Sequence, residues 1–343
     1  MADEKDPLRF GIEVTIVPRE RDFIARAEST GFDSIWIDDH LLPWSDKDGK
    51  RFPYTTPMAW AIMPLMLEWT RSIAVGSAVT CPLLRYHPAI VAQYFAQLDH
   101  LYPGRVLLGI GTGERINEGS IGEWPPYRER RARLIEAVEI IRLLWEREDY
   151  FNYRGEYYRI NNAHLFVRPR ERIPLIISAA GPRSSRLAGE IGDGVMILSG
   201  TPDEVKSLIE SFKKGAESCG KDPQRMDRVM YLFGGVVPEE VFSKVLRGFK
   251  RSVVWLLPEV LDVQDPREID ELSKKIPDEE VRSKCLFYEN VEDLISAFER
   301  YHDAGINRII FGDFTSLFKG KPLEIDAMWH DTILPHFKED GGV

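Results

Sequence analysis

His40 and Glu114 are the titratable residues of this sequence least like ordinary surface. His40 closes WIDDH (36–40) directly after an apolar run, and Trp44 follows in LLPW. Glu114 lies in GIGTGERINEG (109–119), where RVLLGIG gives way to Thr112, Gly113, Glu114 and Asn117. Charged groups at the end of a buried strand carry a desolvation cost, which marks them as candidates for chemistry. An imidazole with an unperturbed pKa of about 6.5 beside a carboxyl forms an acid–base pair able to pass one proton. Glu13, in the first apolar run, is either a further acid or a polar strand end. For His87, His100 and His302 a solvated loop is the simpler reading.

Two glycine-bearing stretches accompany these residues. GIGTGE departs from the G-x-G-x-x-G dinucleotide fingerprint and has no paired-strand acid after it, so its glycines are read as letting backbone approach a flat ring closely. In LIISAAGPRSSR, Ser178, Ala179, Ala180 and Gly181 leave a strand, and Arg183 and Arg186 enter the next helix. Free amides and cations at a helix start suit a phosphate, although a plain helix start with surface arginines has the same sequence. Cys81, Cys219 and Cys285 are too scattered for a disulfide framework or a metal site.

The elements that must position these residues follow one plan. DFIARAESTGFDSIWIDD, SSRLAGEIGDGVMILSG and VEDLISAFERYHDAGINRIIFGD each read as amphipathic helix, glycine turn and short β-branched strand, and IVAQYFAQLDHLYPGRVLLGIG is a proline-containing variant. The glycines stand where a helix C-terminus takes a left-handed residue. The strands lack strict alternation, as parallel strands buried on both faces do. With RFGIEVTIV and RVMYLFGGVV there are eight, which favours a (β/α)8 barrel over an open doubly wound sheet. In a barrel the C-terminal strand ends form the reaction chamber. Residues 149–160, DYFNYRGEYYRI, read as a β-hairpin, and residues 238–288 as a helical insertion capping the barrel mouth. No linker divides residues 1–343, which read as one domain.

The composition, with 43% hydrophobic residues, suits a large buried core. A net charge of -10 argues against nucleic acid or anionic membrane as partner, and no apolar run reaches membrane-span length. The charged N-terminus lacks a signal-type apolar core, so a cytoplasmic enzyme is expected.

DDHLLPW, LLRYHPAIVAQYFAQLDHLYPGRVLLGIGTGERINE, GEWPPYRERRARLIEAVEIIRLLW and AAGP together resemble the coenzyme F420-dependent branch of the luciferase-like superfamily, over nearly the whole chain. That branch includes glucose-6-phosphate dehydrogenases, secondary alcohol dehydrogenases and, resembled in RFGIEV, methylenetetrahydromethanopterin reductases. The resemblance implies a (β/α)8 barrel, often dimeric, with the deazaflavin across its mouth. It implies coenzyme contacts at Asp39, Thr112, Gly113, Glu114, Asn117, Ala179 and Ala180, and a ring resting against a cis peptide at Ala78-Val79; Cys81, Ser178, Gly181 and Arg183 join them as expected coenzyme contacts from their places at strand ends and a helix start. His40 and Glu114 match the base and acid, and Trp44 a residue beside the reacting centre. Where sugar-phosphate enzymes carry lysines, this chain aligns Thr201 and Glu271, with Lys284 near their arginine. A small alcohol, aldehyde or related carbonyl compound is therefore the expected substrate, since Glu271 would repel a dianion. A flavin monooxygenase and a non-catalytic cofactor-binding protein are the competing readings.

Overall fold

The computed structural model describes residues 6–14, 21–51, 56, 58–238, 249–251, 253–254, 257–319 and 324–339. Eight parallel strands close on one another: β1 (Arg9–Glu13), β2 (Ser34–Ile37), β3 (Ala74–Thr80), β4 (Val106–Ile110), β7 (Leu175–Ala179), β8 (Gly194–Ile197), β9 (Asp227–Val236) and β11 (Arg308–Asp313). β8 pairs with β9, β9 with β11 and β11 with β1, so the barrel has no open edge. The expected hairpin is present as β5 (Phe151–Arg154) and β6 (Arg159–Ala163), antiparallel. The insertion brings one element the sequence did not announce: β10 (Leu286–Tyr288) adds a parallel strand to β9. The rest of its described part holds helices Pro266–Ser273 and Asp278–Lys284. Residues 15–17 and 239–248, within the expected first strand and the insertion, lie outside the described residues.

Three of the four turn glycines adopt the expected left-handed backbone: Gly31 (φ 104°), Gly104 (φ 72°) and Gly305 (φ 99°). Gly192 does not, with φ -91°. Its requirement is space, because a Cβ there would stand 2.6 Å from Ile177 and 2.7 Å from the Ala188 carbonyl.

The barrel interior explains why small residues punctuate β1 and β3. Trp36 of β2 is fully buried, its indole Nε1 donating to Ser34 Oγ at 2.8 Å. A Cβ on Gly11 would lie 2.7 Å from the indole, and one on Gly76 2.5 Å from it. The two glycines thus make the slot that the ring fills, and Ala78, Leu107, Ile176, Met196, Val229 and Ile310 belong to the same interior cluster. Overpacking such a slot costs roughly 1–3 kcal/mol. Gly76→Ala is accordingly expected to lower the unfolding temperature by several degrees, read by thermal denaturation at constant pH.

Candidate active site

Alternation along β2 decides what reaches the mouth. Trp36 points into the barrel, so Asp38, two residues on, points the same way and Asp39 points out. Asp38 lines a cavity of about 650 Å³ at the C-terminal end of the barrel, together with Glu13, His40, Trp44, Ala78, Glu114, Ala180 and Gly181. The sequence singled out seven of these eight; Asp38 was missed, and Trp36 was the signal for it. On β9 the same alternation sends Tyr231 and Phe233 to the cavity, and Tyr231 Oη donates to Asp38 Oδ1 at 3.1 Å.

His40 and Glu114 meet across this cavity, Nε2 to Oε2, at 4.0 Å. Burial pushes the His40 imidazole down to about 4, helped by the Arg85 guanidinium and opposed by the Leu42 carbonyl. Burial pushes the Glu114 carboxyl up to about 8, and the Glu118 and Asp38 carboxylates add to this. At neutral pH the pair is therefore uncharged, with its one exchangeable acid proton on Glu114, and the contact is no ion pair. Asn117 ties the two together: Nδ2 donates to Glu114 Oε2 at 3.0 Å and contacts His40 Nδ1 at 3.1 Å. Its Oδ1 accepts the backbone amides of Leu41 (2.8 Å) and Leu42 (3.2 Å), which fastens the loop after β2 to the short helix Arg115–Glu118.

A buried charge network stands behind the pair. Arg85 Nη2 lies 3.0 Å from Asp39 Oδ2 and donates to the Asp39 carbonyl at 2.5 Å, while Nε lies 3.7 Å from Glu118 Oε1. Glu118 Oε2 in turn accepts the Glu114 amide at 2.7 Å. Gly113 (φ 76°) is forced at this corner: a Cβ would stand 2.5 Å from Glu118 Oε2 and 2.7 Å from Cys81 Sγ.

The remaining matched positions divide. The Ala78-Val79 bond is cis. Asp39, Val79, Cys81, Thr112, Gly113, Asn117, Ser178, Ala179 and Arg183 are not lining residues. Asp39 is turned to Arg85 and the Ala59 amide, and Cys81 is buried. The free amides expected at helix Pro182–Ile191 are partly taken, since Ser184 Oγ accepts those of Ala180 (3.2 Å) and Gly181 (3.1 Å). Arg186 pairs with Glu190 at 2.9 Å, whereas Arg183 is exposed and forms no ion pair among the described residues. Beside Gly181 there is open space, with no heavy atom other than those of the glycine and its two chain neighbours within 4 Å of where a Cβ would stand. Ala78, Ala180 and Gly181 thus offer a wall of small residues, which suits the face of a planar ring.

The insertion closes the other side. Asp270 accepts from Ser45 Oγ at 2.6 Å and Arg251 pairs with Asp48 at 3.0 Å, joining it to the segment after β2. Phe249, Val253, Val254, Val260 and Ile269 pack with Phe314 and Trp44. Two substrate expectations need correction. Glu271 is exposed and bound to Lys274 at 2.5 Å outside the cavity, and Thr201 is spent as a helix cap with Glu204. Lys284 does line the cavity, as does Arg251, which the sequence did not reveal. Lys284 pairs with Glu280 at 3.1 Å. His87 caps helix Pro88–Leu101, while His100 and His302 contact the backbone of Arg168 and Asp6, away from the mouth.

Comparison with known proteins returns one family: residues 14–308 match the model described as luciferase-like monooxygenase. The F420-dependent glucose-6-phosphate dehydrogenase of Segniliparus rotundus is 34% identical over 313 residues, covering 89% of this chain and 92% of that protein. The enzyme of the same name from Microbacterium testaceum is 35% identical over 314 residues, covering 90% and 92%. Among solved structures, an F420-dependent secondary alcohol dehydrogenase in complex with an F420-acetone adduct superposes with a TM-score of 0.87 at 30% identity, covering 98% of this chain and 100% of that one. The coenzyme F420-dependent tetrahydromethanopterin reductase of Methanopyrus kandleri shares the fold, with a TM-score of 0.71 at 20% identity, covering 96% and 99%.

Proposed function

The chain belongs to the luciferase-like family, and from that premise we propose that it is a coenzyme F420-dependent oxidoreductase moving a hydride between the coenzyme and a small alcohol, aldehyde or related carbonyl compound. The observation that carries the reading is the His40–Glu114 pair, two groups whose surroundings push their pKa values apart across one cavity. When bound, the coenzyme supplies or accepts the hydride. Ala78, Ala180 and Gly181 would hold its ring, and Arg183 is available to an anionic part of it. Trp44, Phe233 and Phe314 are apolar residues of the lining and keep water from the reacting atoms. Glu13, Asp38 and Tyr231 make a polar floor.

A neutral substrate is supported by the charge of the lining. Among its described residues, Glu13, Asp38, Asp48 and Glu204 face two cations, Arg251 and Lys284, each already paired with a carboxylate. A phosphate dianion would have to displace Asp48 or Glu280 to be held. Glucose-6-phosphate is the second reading, favoured by the names of the relatives at 33–35% identity.

The pair sets a pH dependence. Glu114, at about 8, is protonated at neutral pH and becomes a base only as pH rises through that value. Because kcat/KM reports the free enzyme's groups, kcat/KM for alcohol oxidation is expected to rise through about pH 8 and that for carbonyl reduction to fall over the same range. Initial rates from pH 6 to about 10 test this.

The whole chain is read as one catalytic domain acting in the cytoplasm as a homodimer. Among the described residues no helix is long and apolar enough to cross a membrane. Met58, Leu65, Ile90 and Leu101 are exposed on or beside helices Ala59–Glu68 and Pro88–Leu101, which supports a self-association face there.

A further inference from the structure

The geometry points to Asn117 as the residue that fixes the tautomer of His40, holding Nδ1 as an acceptor so that Nε2 carries the ring proton and presents a hydrogen-bond donor to the substrate oxygen. This rests on the oxidoreductase reading above only for what the donor is aimed at; the tautomer stands on the hydrogen bonds alone.

A backbone amide can only donate. Asn117 meets two of them, Leu41 at 2.8 Å and Leu42 at 3.2 Å, with one atom, which must therefore be its carbonyl oxygen. The other side-chain atom is then the NH2 group, with two protons to place. It has two neighbours within reach, Glu114 Oε2 at 3.0 Å and His40 Nδ1 at 3.1 Å. A proton on Nδ1 would set N–H against N–H. Turning the amide over would set its NH2 group against two backbone amides instead. Both alternatives leave unmatched donors in a site where His40 keeps 10% of its side chain exposed and Asn117 is buried, so each is costly. A neutral imidazole carries one ring proton, so with Nδ1 committed as an acceptor that proton belongs to Nε2.

Nε2 is the atom that faces Glu114, at 4.0 Å. An Nε2–H cannot take the proton of an alcohol. His40 is thereby a fixed electrophile, and Glu114 is the proton carrier. In carbonyl reduction the carbon receives the hydride with its electron pair, the π pair of the C=O bond moves to oxygen, and the oxygen takes the proton of the Glu114 carboxyl, leaving a carboxylate. His40 keeps its proton throughout and stabilises the negative charge building on that oxygen. Oxidation is the same transfer reversed, with the Glu114 carboxylate taking the alcohol proton. An enzyme cannot alter the equilibrium constant, so loss of the donor lowers both directions alike.

The test is the ring 15N signature of His40 in the coenzyme-free protein, read by long-range 1H–15N correlation of histidine-labelled chain and assigned with His40→Gln. Wild type is expected to show Nε2 protonated and Nδ1 unprotonated. Asn117→Asp keeps an oxygen for the Leu41 and Leu42 amides but replaces the NH2 donor with an acceptor, and is expected to move the ring proton to Nδ1. Asn117→Ala is expected to give a mixture. A wild-type signal with the proton on Nδ1 overturns the inference even if no variant folds, as does an Asp variant with an unchanged signal. Coenzyme binding, followed by its fluorescence on the same wild-type sample, is expected in either case; its absence would overturn the oxidoreductase reading and leave the tautomer result standing.

Discussion

Glu114→Gln is expected to lower kcat/KM by about 10²–10⁴-fold in both directions, because it removes the group that exchanges the substrate proton while keeping an oxygen for Asn117 Nδ2. The same change is expected to stabilise the fold in alkali. The carboxyl has a folded pKa of about 8 against 4.5 for an ordinary glutamate. Between those values the folded state holds a proton that the unfolded state has lost. Stability therefore falls as pH rises through this window, and above about 8 the full penalty is present. A Gln side chain does not ionise and carries no such penalty. With 26% of the carboxyl side chain still open to the cavity, the gain at alkaline pH is about 2–4 kcal/mol and vanishes in mild acid. Thermal unfolding of both proteins at pH 5 and 9, with assays at each, checks the paired effects. A variant that loses activity without gaining alkaline stability would mean that Glu114 is not held protonated.

The second large effect is expected behind the site. Arg85→Met removes the cation that lies between Asp39 and Glu118, whose side chains are 0% and 2% exposed. Breaking a buried ion pair by removing one partner costs about 3–5 kcal/mol, because the other charge is left uncompensated. Burial already raises the pKa of both carboxyls, with Arg85 opposing it. Without Arg85 they take up protons more readily, so the loss should shrink toward acid pH. Arg85 also holds down the pKa of His40 and of Glu114, so the pH–rate profile of a folded variant should move upward. Unfolding temperature against pH, set beside that profile, separates a merely structural arginine from one that tunes the pair.

How much of this was legible beforehand depended on whether the information was local. The eight strands were, since each is a short β-branched run after a helix and a turn, and strand ends in a barrel share one mouth. His40, Trp44, Glu114 and Glu13 followed from being strand-end residues, and all four line one cavity. Asp38 was legible in principle, two residues after an inward tryptophan, whereas its neighbour Asp39, the position matched by resemblance, faces Arg85. Arg85 itself sits in LLRYHPA as an unremarkable cation. Its role arises from contacts with residues 39 and 118, which no local pattern encodes. The left-handed backbone expected of Gly192 was misplaced for a related reason, since what excludes a side chain there is Ile177 on another element. Arg251 was hidden in an insertion whose docking onto Asp48 depends on tertiary packing.

On the proposed mechanism, Glu114 exchanges the substrate's proton in a deazaflavin site made for neutral substrates. The most direct test of that mechanism is the bleaching of oxidised coenzyme F420 by simple secondary alcohols above pH 8, run beside glucose-6-phosphate and with Glu114→Gln as control. Wild type is expected to bleach the coenzyme with alcohol and little with the sugar phosphate, and the Gln variant almost not at all. Equal bleaching by the Gln variant, or oxygen consumption with reduced flavin mononucleotide in place of F420 turnover, would contradict that mechanism.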